Sequence, residues 1–151
     1  MLRVRAALMM LAAVVVVLVS GLAHAAAGPT CTIPANLPVP HEEGPTERDP
    51  QRVLPIGYYT LAMIWMPQKC RKGGDDCDLY QATGYGRRDG LTLHGLWPDG
   101  KGREWPQYCA AAPVLPAKTI AAHLCATPSP QLMQHEWTKH GTCMQGYTPD
   151  R

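Results

Sequence analysis

The sequence predicts a small α+β domain cross-linked by disulfides, and three observations lead to this prediction. The N-terminus resembles a cleaved export signal, six cysteines follow it, and two strand-like segments precede two helix-like ones. The 151 residues suffice for one domain and hardly for two. With 46% hydrophobic and 17% charged residues, the composition excludes a disordered chain, while 15 Pro and 14 Gly disfavour a simple helical bundle.

The N-terminus has the pattern of a secretory signal peptide. Two arginines precede the apolar run Ala6–Val19, and Ala23-His24-Ala25 supplies the small residues that signal peptidase reads. A membrane span is the alternative, but the run is shorter than the ~20 residues needed to cross the hydrocarbon. We expect cleavage after residue 25, a secreted or periplasmic protein, and no stable membrane association afterwards.

Removal of the signal also removes the net charge. Arg3 and Arg5 leave with it, so the formal charge of +2 falls to zero, with 12 basic and 12 acidic side chains remaining. No overall basicity then indicates nucleic-acid binding, and any polyanion must be bound by locally placed charges.

The even number of cysteines in an exported chain predicts three disulfides. No Cys-x-x-Cys pair is present, which disfavours a structural zinc site. Of the 15 possible pairings, closure of a short polar loop favours Cys70 with Cys77. Spacing leaves the partners of the other four open: Cys31, Cys109, Cys125 and Cys143.

Residues 26–56 are expected to form an extended arm, because six prolines between Pro34 and Pro55 alternate with charged residues. Next, the apolar run Tyr58–Met66 predicts a buried central strand that is ended by Pro67. The glycine-containing segment Cys70–Asp89 is interpreted as turns. Leu91–Trp97 alternates in polarity, which predicts a half-exposed strand that presents His94.

Two helices are predicted in the last third of the chain. Pro116–Cys125 is rich in alanine, and a stronger helix runs from Pro130 to His140. Ser129 can cap that second helix with Pro130 in its first position, and Gly141 is placed to end it. Met133 and Trp137 are four residues apart and would anchor the helix to the core.

The second helix carries a polar face made of two histidines, a glutamate and a lysine. At ~100° per residue the four side chains span about 140°: His135, Glu136, Lys139 and His140. A solvated helix face is the bland alternative. A zinc-protease helix is excluded, since its histidines are four residues apart and these are five apart.

His94 adds a third imidazole next to Gly95, which permits close backbone approach, and Trp97, whose ring can stack on a base. A structural histidine is the alternative at this position. Imidazoles with a lysine and a glutamate suit metal-free transfer of an RNA phosphodiester to its 2′-hydroxyl. That reaction needs a base, an acid and positive charge at the phosphorus.

Two segments closely resemble the active-site segments of the ribonuclease T2 family of secreted acid endoribonucleases. They are His94-Gly95-Leu96-Trp97-Pro98 and His135-Glu136-Trp137-Thr138-Lys139-His140-Gly141-Thr142-Cys143. The resemblance implies an antiparallel sheet packed with helices, and an endoribonuclease of low base specificity. It also implies products that end first in a 2′,3′-cyclic phosphate and then in a 3′-phosphate, formed without metal or other cofactor.

The resemblance also assigns roles to individual residues. His140 would be the base and His94 the acid, His135 would hold the phosphate, and Glu136 with Lys139 would stabilise the transition state. Trp97 and Asp99 resemble the main base site, with Trp105 as a weaker candidate for its other wall. Cys109 would pair with Cys143, which leaves Cys31 to Cys125. His41 and His123 match neither segment and are expected to serve as surface or packing residues.

We therefore expect a monomer whose catalytic domain spans residues 57–151, with single-stranded RNA as substrate and no cleavage of DNA. The family continues well beyond its second segment, whereas this chain stops at Arg151, eight residues after Cys143. The catalytic domain is accordingly expected to be shortened at its C-terminus. A catalytically inactive RNA-binding or structural relative is the alternative, and cleavage of any RNA would distinguish the two.

Overall fold

The computed structural model describes residues 31–84 and 90–150, and the predicted signal peptide lies outside them. Their strands are β1 (Tyr58–Trp65) and β2 (Leu91–Asp99). Their α-helices are α1 (Met66–Lys69), α2 (Asp75–Ala82), α3 (Ala117–His123) and α4 (Pro130–Lys139). Short 3-10 turns occupy Cys70–Lys72 and Gly141–Cys143. The order and the antiparallel pairing of β1 with β2 confirm the predicted α+β class.

The pairing of β1 with β2 contains a bulge at His94. The register runs from Tyr58 opposite Asp99 to Trp65 opposite Leu91, and it shifts between Ala62 and Met63. Ala62 pairs with Gly95 and Met63 with Leu93, so His94 is the extra residue. Leu93 and His94 both line a cavity of about 500 Å³. Because a bulge breaks the two-residue period, the alternation predicted for this strand is interrupted at His94.

Strand β1 forms where it was predicted, but it is not a buried central strand. Leu61 is 64% exposed and Trp65 is 52% exposed. The sheet has two strands within the described residues, and no further layer there covers this face. An uninterrupted apolar run predicts a strand with apolar side chains on both faces, but it does not predict which elements of the fold cover those faces.

The segment interpreted as turns contains a helix instead. Helix α2 spans Asp75–Ala82 and carries three aspartates in its first turn, where negative charge interacts favourably with the helix dipole. The Cys70–Cys77 disulfide joins the first turn of α2 to the preceding 3-10 turn. The glycines predict turns, but the three aspartates favour a helix at this position. Residues 85–89 of the segment lie outside the described residues.

Helix α4 begins as predicted and ends slightly earlier. Ser129 Oγ accepts a hydrogen bond from the Leu132 backbone N–H, and Pro130 is the first helical residue. The helix ends at Lys139 with His140 as its cap, and the chain continues into a 3-10 turn. A Cβ at Gly141 would stand 2.3 Å from Trp137 Cε3, so this glycine makes room for the Trp137 ring.

The core lies between α3, α4 and the segment before α3. Its buried members are Leu115, Ile120, Leu124 and Met133, and Trp137 packs against them. This confirms that Met133 and Trp137 anchor α4. The core therefore fixes one side of the helix and leaves the polar side for other contacts.

Three disulfides hold the loops around this core. They join Cys31 to Cys125, Cys70 to Cys77 and Cys109 to Cys143, and they confirm all three predicted pairs. The first attaches the arm to the end of α3, and the third attaches the loop before α3 to the turn after α4. None of the helices within the described ranges is long and apolar enough to span a bilayer.

Residues 31–56 of the arm are extended and contact the rest of the domain at several points. Within residues 31–57 the only regular pairing is the bridge between Arg52 and Gln107, whose backbones exchange two hydrogen bonds. Gln51 Nε2 donates to the Tyr108 carbonyl, and the Thr32 N–H donates to the Thr83 carbonyl. These contacts and the Cys31 disulfide fix the path of the arm across the domain.

The paired cysteines give a direct test of the fold. We expect the native chain to have a mass lower by six hydrogens than the reduced chain, because all six cysteines are in disulfides. Mass spectrometry before and after reduction measures the difference, and peptide mapping assigns the pairs. Labelling of a native thiol by maleimide would contradict this arrangement.

Candidate active site

The two segments singled out in the sequence meet in the structure. Strand β2 contributes His94, Trp97 and Asp99, and helix α4 contributes His135, Glu136 and Lys139, with His140 at the end of that helix. The bulge at His94 and the cap at His140 both lie where regular structure is interrupted. The imidazole at each of these positions contacts the Trp97 ring.

Glu136 links the strand to the helix. Its Oε2 accepts a hydrogen bond of 2.6 Å from Trp97 Nε1, and its Oε1 lies 3.0 Å from His94 Nε2. The second contact has the distance of an ion pair but not the alignment of a hydrogen bond. Only 13% of the Glu136 side chain is exposed, so both contacts are largely screened from water.

Gly95 is required for this approach of Glu136. A Cβ at position 95 would stand 1.9 Å from Glu136 Oε2 and 3.0 Å from Trp97 Nε1. Any other residue here would push the carboxylate away from the strand. The expectation that Gly95 permits close approach is met, and the group that approaches is a side chain of the site itself.

The Trp97 indole contacts two imidazoles. Its ring centroid is 5.3 Å from that of His94, edge to face, and 5.5 Å from that of His140, tilted by 30°. The His135 ring lies 6.5 Å from that of His140. The three histidines assigned to the site therefore form one continuous cluster, whereas His41 and His123 take no part in these ring contacts.

Burial changes the proton affinity of two groups in the cluster. His140 is 8% exposed, and burial together with the nearby Lys139 lowers its pKa from 6.5 to about 4. Burial raises the pKa of Glu136, although the Trp97 hydrogen bond and the neighbouring histidines oppose the shift. His140 is therefore a neutral imidazole at mildly acidic pH, and its Nδ1 has no hydrogen-bond partner among the described residues.

No group of three or more His, Cys, Asp and Glu side chains in residues 31–84 and 90–150 is placed to hold a metal ion. Glu136 is engaged by Trp97 and His94, as described above. The cluster thus combines imidazoles that can give or take a proton with one lysine that carries fixed positive charge.

The sequence profile of the ribonuclease T2 family matches residues 56–150, which include both segments of this cluster. The chain belongs to the ribonuclease T2 family. Its matched region begins one residue before the expected start of the catalytic domain at residue 57.

Individual relatives agree with this family. A probable ribonuclease of Haemophilus influenzae is 37% identical over 101 residues, which cover 59% of this chain and 37% of that protein. A ribonuclease of Aeromonas hydrophila is 37% identical over 86 residues, 57% of this chain and 37% of that protein. Among solved structures, an RNase-related protein from Calystegia sepium has 24% identity and a TM-score of 0.44, over 60% of this chain and 51% of that one. The chain thus spans less than two fifths of the length of these two sequence relatives.

Two further residues that the family resemblance assigned to base binding differ in their surroundings. Asp99 Oδ2 accepts a hydrogen bond from the Thr60 hydroxyl on β1, and its charge acts on His140. Trp105 lies against Arg52, 4.9 Å from the guanidinium carbon, and its indole N–H donates to Gln107 Oε1. The structure thus connects Asp99 to the cluster, whereas the described contacts of Trp105 are to the arm and its bridge.

Two acidic residues of the arm, which the sequence did not predict as site residues, contact this site. Glu43 Oε2 lies 2.6 Å from His135 Nδ1, and Asp49 Oδ1 lies 3.3 Å from Lys139 Nζ. Both carboxylates are about 90 residues away from their partners, and both lie outside the region that matches the family. No local spacing in the sequence could have found them. An acidic arm rich in proline gave the only signal.

The lowered pKa of His140 predicts a loss of stability in acid. The unfolded chain binds more protons than the folded one between pH 6.5 and about 4, so the free energy of unfolding falls as pH falls through this window. The gap corresponds to about 3 kcal/mol. Urea unfolding of the wild type and His140→Asn at both pH limits measures it. Wild type should lose about 3 kcal/mol more than the variant, and equal losses would contradict the burial argument.

Proposed function

We propose that this chain is a metal-independent endoribonuclease that cleaves single-stranded RNA by transphosphorylation. The observation that carries the proposal is that His94 and His140 both lie against the Trp97 indole, with Glu136 joining the strand to the helix. Two imidazoles in one cluster can serve as the base and the acid of a single phosphoryl transfer. The names of the ribonuclease relatives support the same class of reaction.

The geometry favours His140 as the base and His94 as the acid. A base must be neutral before it takes a proton, and the lowered pKa of His140, about 4, keeps it neutral in mild acid. His94 has the Glu136 carboxylate 3.0 Å away as a counter-charge when it carries a proton. In this assignment His140 takes the proton of the 2′-hydroxyl, and His94 gives one to the departing 5′-oxygen.

The remaining groups would act on the phosphate. Lys139 supplies a permanent positive charge, its side chain is 15% exposed, and it lies next to His140. We assign phosphate binding to His135, and stabilisation of the five-coordinate phosphorus to Lys139 and Glu136. Since a lysine supplies the fixed charge, no metal ion or other cofactor is required in this scheme.

The attacking oxygen would come from the substrate. All six cysteines are in disulfides, so no cysteine thiol is free to act as a covalent nucleophile. RNA carries a hydroxyl next to each phosphate, and DNA does not. The first product is then a 2′,3′-cyclic phosphate, which water converts to a 3′-phosphate.

Base binding and cellular context complete the proposal. Trp97 and Asp99 would form the main base site, with Trp105 on its other wall. Stacking on a base without hydrogen bonds to its edge gives low base specificity.

We further propose a monomeric chain with a signal peptide at 1–25, a proline-rich arm at 26–56 and a catalytic domain at 57–151. Export to the periplasm or the medium fits the three disulfides.

The nucleophile is tested with dinucleotides that lack one hydroxyl. A 2′-deoxy sugar on the 5′ side of the scissile phosphate should abolish cleavage, whereas the same change on the 3′ side should have little effect. Chromatography of the products measures both. Cleavage of the dinucleotide that has the 2′-deoxy sugar on the 5′ side, or release of 5′-phosphate ends, would require another nucleophile. Binding of RNA without any cleavage would favour the inactive alternative.

The acid and base are tested by removing each imidazole. His94→Ala and His140→Ala should each lower kcat by about 10²–10⁴-fold, the usual contribution of proton transfer. His41→Ala is the matched control, because the His41 side chain is exposed and only its backbone contacts α4. Initial rates on RNA, with circular dichroism to verify folding, give the comparison. If kcat changes equally little in His94→Ala, His140→Ala and His41→Ala, the histidine cluster has no role in catalysis.

A further inference from the structure

The arm lies along one face of α4. Gln131, His135 and Lys139 follow one another at four-residue intervals, so their side chains share that face. Each of them contacts the arm: Gln131 binds His41 and Glu43, His135 binds Glu43, and Lys139 binds Asp49. The arm is fixed before this stretch by the Cys31–Cys125 disulfide and after it by the pairing of Arg52 with Gln107.

Glu43 is held through both of its carboxylate oxygens. Oε2 lies 2.6 Å from His135 Nδ1, and Oε1 accepts a hydrogen bond from Gln131 Nε2. Gln131 in turn accepts a 2.7 Å hydrogen bond from the His41 backbone N–H, which fixes its amide. The carboxylate therefore has little freedom to turn away from His135. Asp49 differs, since it is half exposed and makes a single longer contact with Lys139.

The contact with Glu43 determines how His135 can use its second nitrogen. An ionised carboxylate only accepts hydrogen bonds, so His135 Nδ1 must be the donor. When the imidazole is protonated, Nε2 also donates, and it is the nitrogen left for a phosphate oxygen. Glu43 then supplies the counter-charge at Nδ1.

We propose that Glu43 is a positioning residue that fixes the ring of His135 through Nδ1 and leaves Nε2 for the RNA phosphate. The inference rests on the proposed function, because it is the phosphate contact of His135 that Glu43 supports. Glu43 lies outside residues 56–150, so this part of the site comes from a segment that the family match does not include.

Competition between Glu43 and the phosphate is the opposite interpretation of the same contact. A competing carboxylate would occupy the nitrogen that the phosphate needs, and its removal would tighten RNA binding. Glu43 contacts Nδ1 only, and its other oxygen is bound by Gln131. The two interpretations therefore predict opposite changes in affinity when Glu43 is removed.

A double-mutant cycle separates these cases in the full chain. Glu43→Ala should lower kcat/KM on a dinucleotide about tenfold, and it should cause no further loss in a His135→Ala background. Glu43→Gln keeps the shape and an accepting oxygen, so it should recover part of the loss. Glu47→Ala is the matched control, since Glu47 is an exposed glutamate of the same arm, and it should leave kcat/KM unchanged. An equal loss in both backgrounds, or tighter binding, overturns the proposal.

Nitrogen-15 NMR of the imidazoles gives a readout that does not depend on cleavage. At a pH where the ring is neutral, His135 should carry its proton on Nδ1 in the wild type and mainly on Nε2 in Glu43→Ala. The same tautomer in both proteins overturns the positioning role. A tautomer change in a chain that cleaves no RNA would instead overturn the proposed function and support the positioning of His135.

Discussion

The carboxylate of Glu136 connects helix α4 to strand β2, and the arrangement of the histidines depends on that connection. It receives the Trp97 indole N–H on one oxygen and lies next to His94 on the other. The contact is possible only because position 95 has no side chain. With the carboxylate in place, the Trp97 ring lies against both His94 and His140, so one polar residue holds the ring that both proposed proton-transfer groups contact.

The rest of the fold maintains this contact from several directions. The core residues and Trp137 fix the apolar side of α4, while Cys109–Cys143 fixes the turn that follows His140. On the polar side, the arm supplies carboxylates to His135 and Lys139. A carboxylate therefore faces each of His94, His135 and Lys139. His140 is the exception, because it is buried without a hydrogen-bond partner for Nδ1 in the described residues, and its lowered pKa reflects this.

The sequence predicted features with a local physical cause and failed where the cause was distant. Ser129 and Pro130 mark the start of α4 by capping chemistry, and the histidines on α4 follow from helical spacing. The bulge at His94 arises from pairing with β1, so alternation within β2 could not reveal it. Glu43 meets His135 through the path of the arm, which depends on a disulfide and on backbone bonds elsewhere in the chain. The family resemblance, carried by two short segments, supplied the roles that geometry alone did not assign.

The central claim is that these imidazoles transfer protons to and from RNA without a metal ion. Phosphorus-31 NMR of an RNA dinucleotide incubated with this chain in excess EDTA tests it most directly. The account predicts that a 2′,3′-cyclic phosphate appears first and decays slowly to the 3′-phosphate, at a rate that EDTA does not change. Direct formation of a 5′-phosphate, or activity that EDTA abolishes and added zinc or magnesium restores, would contradict it.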